Sequence, residues 1–168
     1  MIFGDPYFFC ISFDVAYPSE NLTDSNIELG IFNFIIEDVF FPGKGGNWTL
    51  SMTISHLKEA VDEIESCPEI QESVINSPTF CENLSHSLQF LLETDPRDYE
   101  LKDVEKLGVN LTPLEFGDCG YYIFYARSKK QEYIFYSYNA GLNFLKKELP
   151  LNCVKNVISS IEFNKTEH

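Results

Sequence analysis

The sequence predicts an α+β fold, in which an antiparallel sheet of about six strands carries two or three packed helices. Two blocks rich in aromatic and β-branched residues, at 1–42 and 114–139, predict the strands. The stretch between them contains two segments with the spacing of amphipathic helices. At 168 residues the chain suits one domain covering 1–168, which is large enough to bury a core without metal ions or disulfides.

The first block predicts a meander of three strands. A Gly-Asp-Pro turn leads into residues 7–15, where apolar side chains alternate along one face. Residues 29–38 alternate in the same way, and they suit an antiparallel neighbour of the first strand. A third strand is predicted at 39–41, where Pro42 ends it.

Residues 48–54 also alternate, and this pattern predicts a fourth strand. Ser55 is then expected to cap a helix that ends near residue 66. Apolar residues with helical spacing form the stripe that this helix would bury: Leu57, Ala60, Val61 and Ile64.

A second helix is predicted to begin at Pro78, with Ser77 as its cap, and to end at Asp95-Pro96. Because its apolar stripe is long, this helix is expected to pack across the sheet. The stripe consists of Phe80, Cys81, Leu84, Leu88, Leu91 and Leu92.

The second aromatic block predicts a hairpin, with strands at 121–127 and 132–138 joined by a polar turn. Gly141 is expected to end the second strand. Pro150 is expected in the first turn of a last helix. The buried stripe of that helix would be Leu151, Val154, Val157, Ile158 and Ile161.

The charge is the strongest compositional signal, because 26 acidic residues against 12 basic ones leave a formal net charge of −14. A nucleic-acid partner is disfavoured, since phosphate binding needs a basic surface. Acidity alone can keep a protein soluble, but it also suits recruitment of a basic protein partner. No run of about 18 apolar residues predicts a membrane helix, and the first residues lack a basic signal-peptide region. We therefore expect a cytoplasmic protein with no membrane partner.

Three groups of residues are candidates for contact with a basic partner. The first is the polar face of the first helix, with Glu59, Asp62, Glu63 and Glu65. The second is a charged surface segment with Asp95, Asp98, Glu100, Asp103 and Glu105. The third is the aromatic hairpin, which is expected to form core and to expose a few tyrosines. Tyr133 and Tyr138 are the candidates, because exposed tyrosine is a frequent anchor in interfaces. The usual alternative for each acidic face is simple solvation.

The sequence offers little support for catalysis or for a cofactor. Asp118-Cys119-Gly120 with His86 could form a thiol nucleophile and base, which leaves a small cysteine-dependent enzyme as an alternative. Cys119 follows an acid, however, whereas a reactive thiolate is favoured by a nearby cation or a helix N-terminus. Five cysteines without a C-x-x-C pair and three histidines predict reduced thiols and neither a metal site nor a cofactor. A general adaptor domain is a further alternative.

Three segments carry a family resemblance: MIFGDPYFFCISFDV at 1–15, GIFNFIIEDVFFP at 30–42 and LEFGDCGYYIFY at 114–125. In this order they resemble the Imm42 type of bacterial immunity protein, found in polymorphic toxin and contact-dependent growth inhibition systems. The resemblance implies a small cytoplasmic protein without catalysis. It also implies one partner, the C-terminal domain of a cognate toxin, which the chain would bind as a heterodimer and block. Together with the acidic charge, it favours a basic nuclease as that toxin, inhibited at its active site or at its substrate-binding face.

Overall fold

The computed structural model describes residues 1–17, 28–43, 45–95, 97–98 and 108–162. Two antiparallel sheets and five helices within these ranges confirm the α+β class. The strands are β1 (Ile2–Asp5), β2 (Phe9–Tyr17), β3 (Leu29–Ile36), β4 (Val39–Phe41), β5 (Trp48–Thr49), β6 (Val109–Asn110), β7 (Tyr122–Arg127), β8 (Gln131–Ser137) and β9 (Leu145–Pro150). The helices are α1 (Leu50–Ser66), α2 (Glu72–Ile75), α3 (Phe80–Glu93), α4 (Leu114–Asp118) and α5 (Cys153–Ser159).

The chain divides into two compact units. Unit 1 comprises Met1–Glu65 and Asn152–His168, and unit 2 comprises Ser66–Leu151. The N-terminal meander and the aromatic hairpin, expected in one sheet of about six strands, lie in two sheets of five and four strands. Each sheet gains strands that are short or polar, namely β1, β6 and β9, and these carry too weak an alternation to be found from sequence.

The sheet of unit 1 has the strand order β1-β2-β3-β4, and β5 also pairs with β3. The predicted meander is confirmed, because β2 pairs with β3 and β3 with β4, all antiparallel. Phenylalanine rings pack along one face: Phe9 and Phe34 stack with their centroids 6.1 Å apart, and Phe32 meets Phe34 edge to face at 5.2 Å. These rings are fully buried and form the centre of the core of unit 1.

The predicted strand at 48–54 is wrong beyond its first two residues, because α1 begins at Leu50. Leu50 and Ile54 fit the spacing of a strand and of a helix equally well. In the helix, Leu50 and Ile54 are buried on the same side as Leu57, whereas Met52 is exposed. Ser55 therefore lies inside the helix and not at its cap, and its hydroxyl donates to Glu59 Oε1 over 3.2 Å.

The last helix begins later than predicted. Pro150 ends β9 and does not open α5, which starts at Cys153. Proline is tolerated on such an edge strand, since β9 pairs only with β8 among the described strands. The predicted buried positions Val154, Val157 and Ile158 are confirmed in α5, whereas Leu151 is exposed.

The sheet of unit 2 has the order β6-β7-β8-β9, and the predicted hairpin forms its centre. Helix α3 starts at Phe80, two residues after Pro78, and its residues Phe80, Leu84 and Leu88 are buried. They belong to one core cluster with Ile75, Ala126, Tyr133, Phe135 and Phe144. Leu91 and Leu92, predicted in the same stripe, are exposed near the end of the helix.

Candidate functional site

The acidic face of α1 is the predicted contact group that the structure brings together most clearly. Glu59, Asp62 and Glu63 are exposed, and their i, i+3, i+4 spacing places them on one side of the helix. Glu65 lies towards the flank, where its Oε1 is 2.5 Å from Lys155 Nζ of α5. Glu65 therefore joins two helices of unit 1, and the other three carboxylates form the outward acidic surface.

The second acidic group is described only in part. Glu100, Asp103 and Glu105 lie outside the described residues, and Asp95 and Asp98 are exposed. Arg97 holds both carboxylate oxygens of Asp95, with Nε–Oδ1 at 3.0 Å and Nη2–Oδ2 at 2.6 Å. Hydrogen bonds from the Arg97 side chain and backbone lower the pKa of Asp95. The charge of Asp95 is thus compensated locally, and this carboxylate also organises its own turn.

The two candidate tyrosines have opposite environments. Tyr138 is half-exposed, and its ring meets those of Tyr121 and Tyr136 edge to face, at 6.4 and 6.0 Å between centroids. The predicted exposure of Tyr133 is wrong, because this ring is fully buried in the core of unit 2. Tyr133 occupies an inward position of β8 and stacks with Phe135, so it serves the core and has no surface for a partner.

The alternative catalytic residue, Cys119, is exposed at the C-terminal end of α4, directly after Asp118. A nucleophilic thiolate is favoured at the opposite end of a helix or beside a cation. Within the described ranges, no group of three or more His, Cys, Asp or Glu side chains could hold a metal ion. No helix in the described part of the chain is long and apolar enough to cross a membrane.

A buried polar pair in unit 2 escaped prediction. The Tyr125 hydroxyl donates to Glu132 Oε1 over 3.1 Å, and both side chains are buried. Burial raises the pKa of Tyr125 strongly, and the neighbouring Glu132 adds to this. Burial likewise raises the pKa of the nearby Cys67 thiol, against the opposing effect of Arg127. Glu132 alternates with the core residues Tyr133 and Phe135 along β8, so its position looks like a surface position in the sequence. The register with β7 places Glu132 on the same face as Tyr125.

A surface cavity of about 480 Å³ lies beside the β7–β8 turn. It is lined by Glu69, Ile70, Gln71, Glu72, Ser73, Lys129 and Lys130. Lys130 Nζ lies 3.8 Å from Glu72 Oε2, so the rim carries both signs of charge.

Comparison with known proteins places this chain in a family. The crystal structure of CdiI from Burkholderia dolosa AUO158 matches with a TM-score of 0.71 and 16% identity, over 95% of this chain and 96% of that chain. An uncharacterized protein of Pasteurella multocida (strain Pm70) is 25% identical over 175 residues, which cover 96% of this chain and 98% of that protein. The family model described as Immunity protein 42 matches residues 1–164. The chain therefore belongs to the Immunity protein 42 family, as the three sequence segments predicted.

Proposed function

We propose that this chain is a cytoplasmic immunity protein that binds and neutralises one cognate toxin domain of a contact-dependent inhibition or polymorphic toxin system. The observation that carries the proposal is the family match, which spans residues 1–164. The shared fold with a protein named CdiI supports the same system. The chain acts by binding, as a one-to-one heterodimer, and needs no catalysis of its own.

The toxin partner is a basic nuclease. Its substrate-binding surface must attract phosphates, and an acidic protein can compete for that surface. The carboxylates Glu59, Asp62 and Glu63 of α1 offer a row of negative charge for this purpose, with Asp98 and the exposed ring of Tyr138 as further candidates. Binding there would cover the active site or the face that receives nucleic acid.

The direct test uses the C-terminal toxin domain encoded beside this chain. The toxin domain is expressed in bacteria with and without this chain, and colony counts and nuclease activity are measured. Protection by the chain, together with a stable one-to-one complex, is the expected result. Growth arrest in the presence of the folded chain would contradict the proposal. If the Cys119→Ser substitution by itself abolished protection, the cysteine-dependent alternative would be favoured.

Ionic strength separates the electrostatic part of the proposal from the immunity role. Between about 50 and 500 mM salt the association rate is expected to fall by at least about tenfold, because exposed charges are screened within a Debye length. A triple variant, Glu59→Gln with Asp62→Asn and Glu63→Gln, should associate slowly at low salt and lose most of this dependence. If the association rate of the wild-type chain did not depend on salt, attraction by the acidic residues would be contradicted. The proposed immunity role would not be affected.

A further inference from the structure

Two neighbouring turns at one end of the sheet of unit 1 form a surface that none of the predicted contact groups includes. The first turn joins β1 to β2, and the second joins β3 to β4. Two backbone hydrogen bonds fix them side by side: Glu37 N donates to Phe8 O over 3.4 Å, and Asp38 N donates to Pro6 O over 3.0 Å. We call this the turn surface, and it consists of Tyr7, Phe8, Glu37, Asp38, Val39 and Phe40.

Four apolar side chains of the turn surface are largely exposed. Tyr7 is 72% exposed and Phe40 is 52% exposed, and Phe8 and Val39 are also accessible. Phe9, next in sequence to Phe8, is by contrast fully buried. Grouped exposed aromatic and aliphatic side chains mark interaction sites in soluble proteins, and tyrosine is enriched among the residues that dominate binding energy.

The acidic residues at the tip of the second turn are held in a demanding conformation. Glu37 and Asp38 have φ values of 51° and 61°, although neither is glycine. A two-residue hairpin turn with positive φ at both positions favours Asn-Gly. The Glu37-Asp38 pair in this turn therefore lowers the stability of the folded protein. Both residues are exposed at the tip of the turn.

The charged side chains of the two turns and of strands β1 to β4 are all acidic. Segments 1–17 and 28–43 contain Asp5, Asp14, Glu28, Glu37 and Asp38 but no lysine or arginine. The N-terminal ammonium lies at the far end of the hairpin, 2.9 Å from Asp14 Oδ1. A second copy of this chain would bring like charges together here, whereas a basic protein surface would complement them.

We propose that the turn surface is the anchor for the toxin domain, with Tyr7, Phe8 and Phe40 packing against an apolar patch that lysine or arginine side chains border. This inference rests on the proposed function and assigns its contact surface. The backbone bonds between the turns hold the anchor in place before binding, which limits the entropy lost on association. The acidic face of α1 then contributes long-range attraction, and the turn surface determines how long the complex lasts.

The test measures binding of the toxin domain encoded beside this chain to matched alanine variants. Tyr7→Ala and Phe40→Ala are compared with Leu114→Ala and Leu92→Ala, because Leu114 is 69% exposed and Leu92 is 52% exposed in unit 2. We expect Tyr7→Ala to raise Kd by at least about tenfold, mainly through faster dissociation, and the controls to stay within about twofold. The α1 triple variant should slow association and leave dissociation unchanged.

Several outcomes would overturn the anchor. If both turn variants bound the toxin domain with the affinity of the wild-type chain, the turn surface would not be the anchor. The proposed function would still hold, because the wild-type complex forms. A concentration-dependent dimer of the isolated chain that Tyr7→Ala breaks would assign the surface to a second copy. If the wild-type chain neither bound nor protected, the proposed function would fail first. Circular dichroism and thermal melting of each variant confirm that it is folded.

Discussion

Units 1 and 2 each consist of a sheet with helices, but they differ in where their charged side chains lie. Unit 1 carries thirteen acidic and four basic residues, and unit 2 carries thirteen acidic and eight basic residues. The core of unit 1 is built around stacked phenylalanines, whereas that of unit 2 admits the Tyr125–Glu132 pair. Among the described residues of unit 1 no charged side chain is buried, and this unit holds most of the net negative charge.

The largest expected effect is loss of an aromatic ring from the core of unit 1. Phe34→Ala should cost about 3 to 5 kcal/mol, because the ring is fully buried among Phe9, Phe32 and Phe41. Phe40→Ala is the matched control, since it removes an exposed ring from the same sheet. Denaturant unfolding gives the free energies, and hydrogen exchange locates the loss, which is expected in β2 and β3. Equal loss of protection in β7 and β8 would mean that the two units unfold together.

A smaller effect should follow from breaking the polar pair of unit 2. Tyr125→Phe is expected to cost about 1 to 2 kcal/mol, because Glu132 loses a buried donor. Tyr138→Phe, at a half-exposed ring, serves as the control and should be nearly neutral.

The same variant tests the pH dependence of stability. The folded chain keeps the Tyr125 proton to higher pH than the unfolded chain, whose tyrosine titrates near its ordinary pKa of about 10. The stability contributed by Tyr125 is therefore complete below pH 10 and is lost as the pH rises above it. Tyr125→Phe should flatten this alkaline loss in denaturant titrations between pH 8 and about 11. If stability fell with pH as steeply in Tyr125→Phe as in the wild-type chain, the other tyrosines would account for the alkaline loss.

The smallest expected effect has the opposite sign. Replacing Glu37-Asp38 by Asn-Gly should stabilise unit 1 by about 1 kcal/mol, because these residues adopt positive φ more readily. The same double variant removes two charges from the turn surface, so its complex with the toxin domain should dissociate faster. Thermal melting and binding kinetics measured on one preparation would reveal both changes. A destabilised variant would show that the acidic side chains support the turn.

The elements predicted correctly are those specified locally. The β7–β8 hairpin and the β2–β4 meander combine alternation with turn residues, and neighbouring residues settle both features. The start of α1 was missed because residues 48–54 satisfy two periods at once. Strand β9 was missed because its Lys146, Lys147 and Glu148 lie on a polar edge strand.

Surface residues were harder to predict than elements. Tyr133 and Tyr138 look alike in sequence, but one lies under α3 and the other lies beyond the end of β8. Tyr7 and Phe8 look like the start of a buried strand, yet they lie in an exposed turn. Exposure depends on what packs over a residue, and this is decided by distant parts of the chain. The acidic face of α1 was found because helical spacing determines a face without such information.

The order of the units along the chain affects how the protein is made. Helix α5 packs on the N-terminal hairpin so closely that a Cβ at Gly4 would lie 2.7 Å from Val157 Cγ2. During synthesis, residues 66–151 leave the ribosome before residues 153–159, so unit 2 can fold while unit 1 still lacks this helix. The Gly4 side of β1 and β2 stays uncovered until residues 153–159 have been made. Unit 1, which carries the turn surface, is thus expected to complete its packing after unit 2.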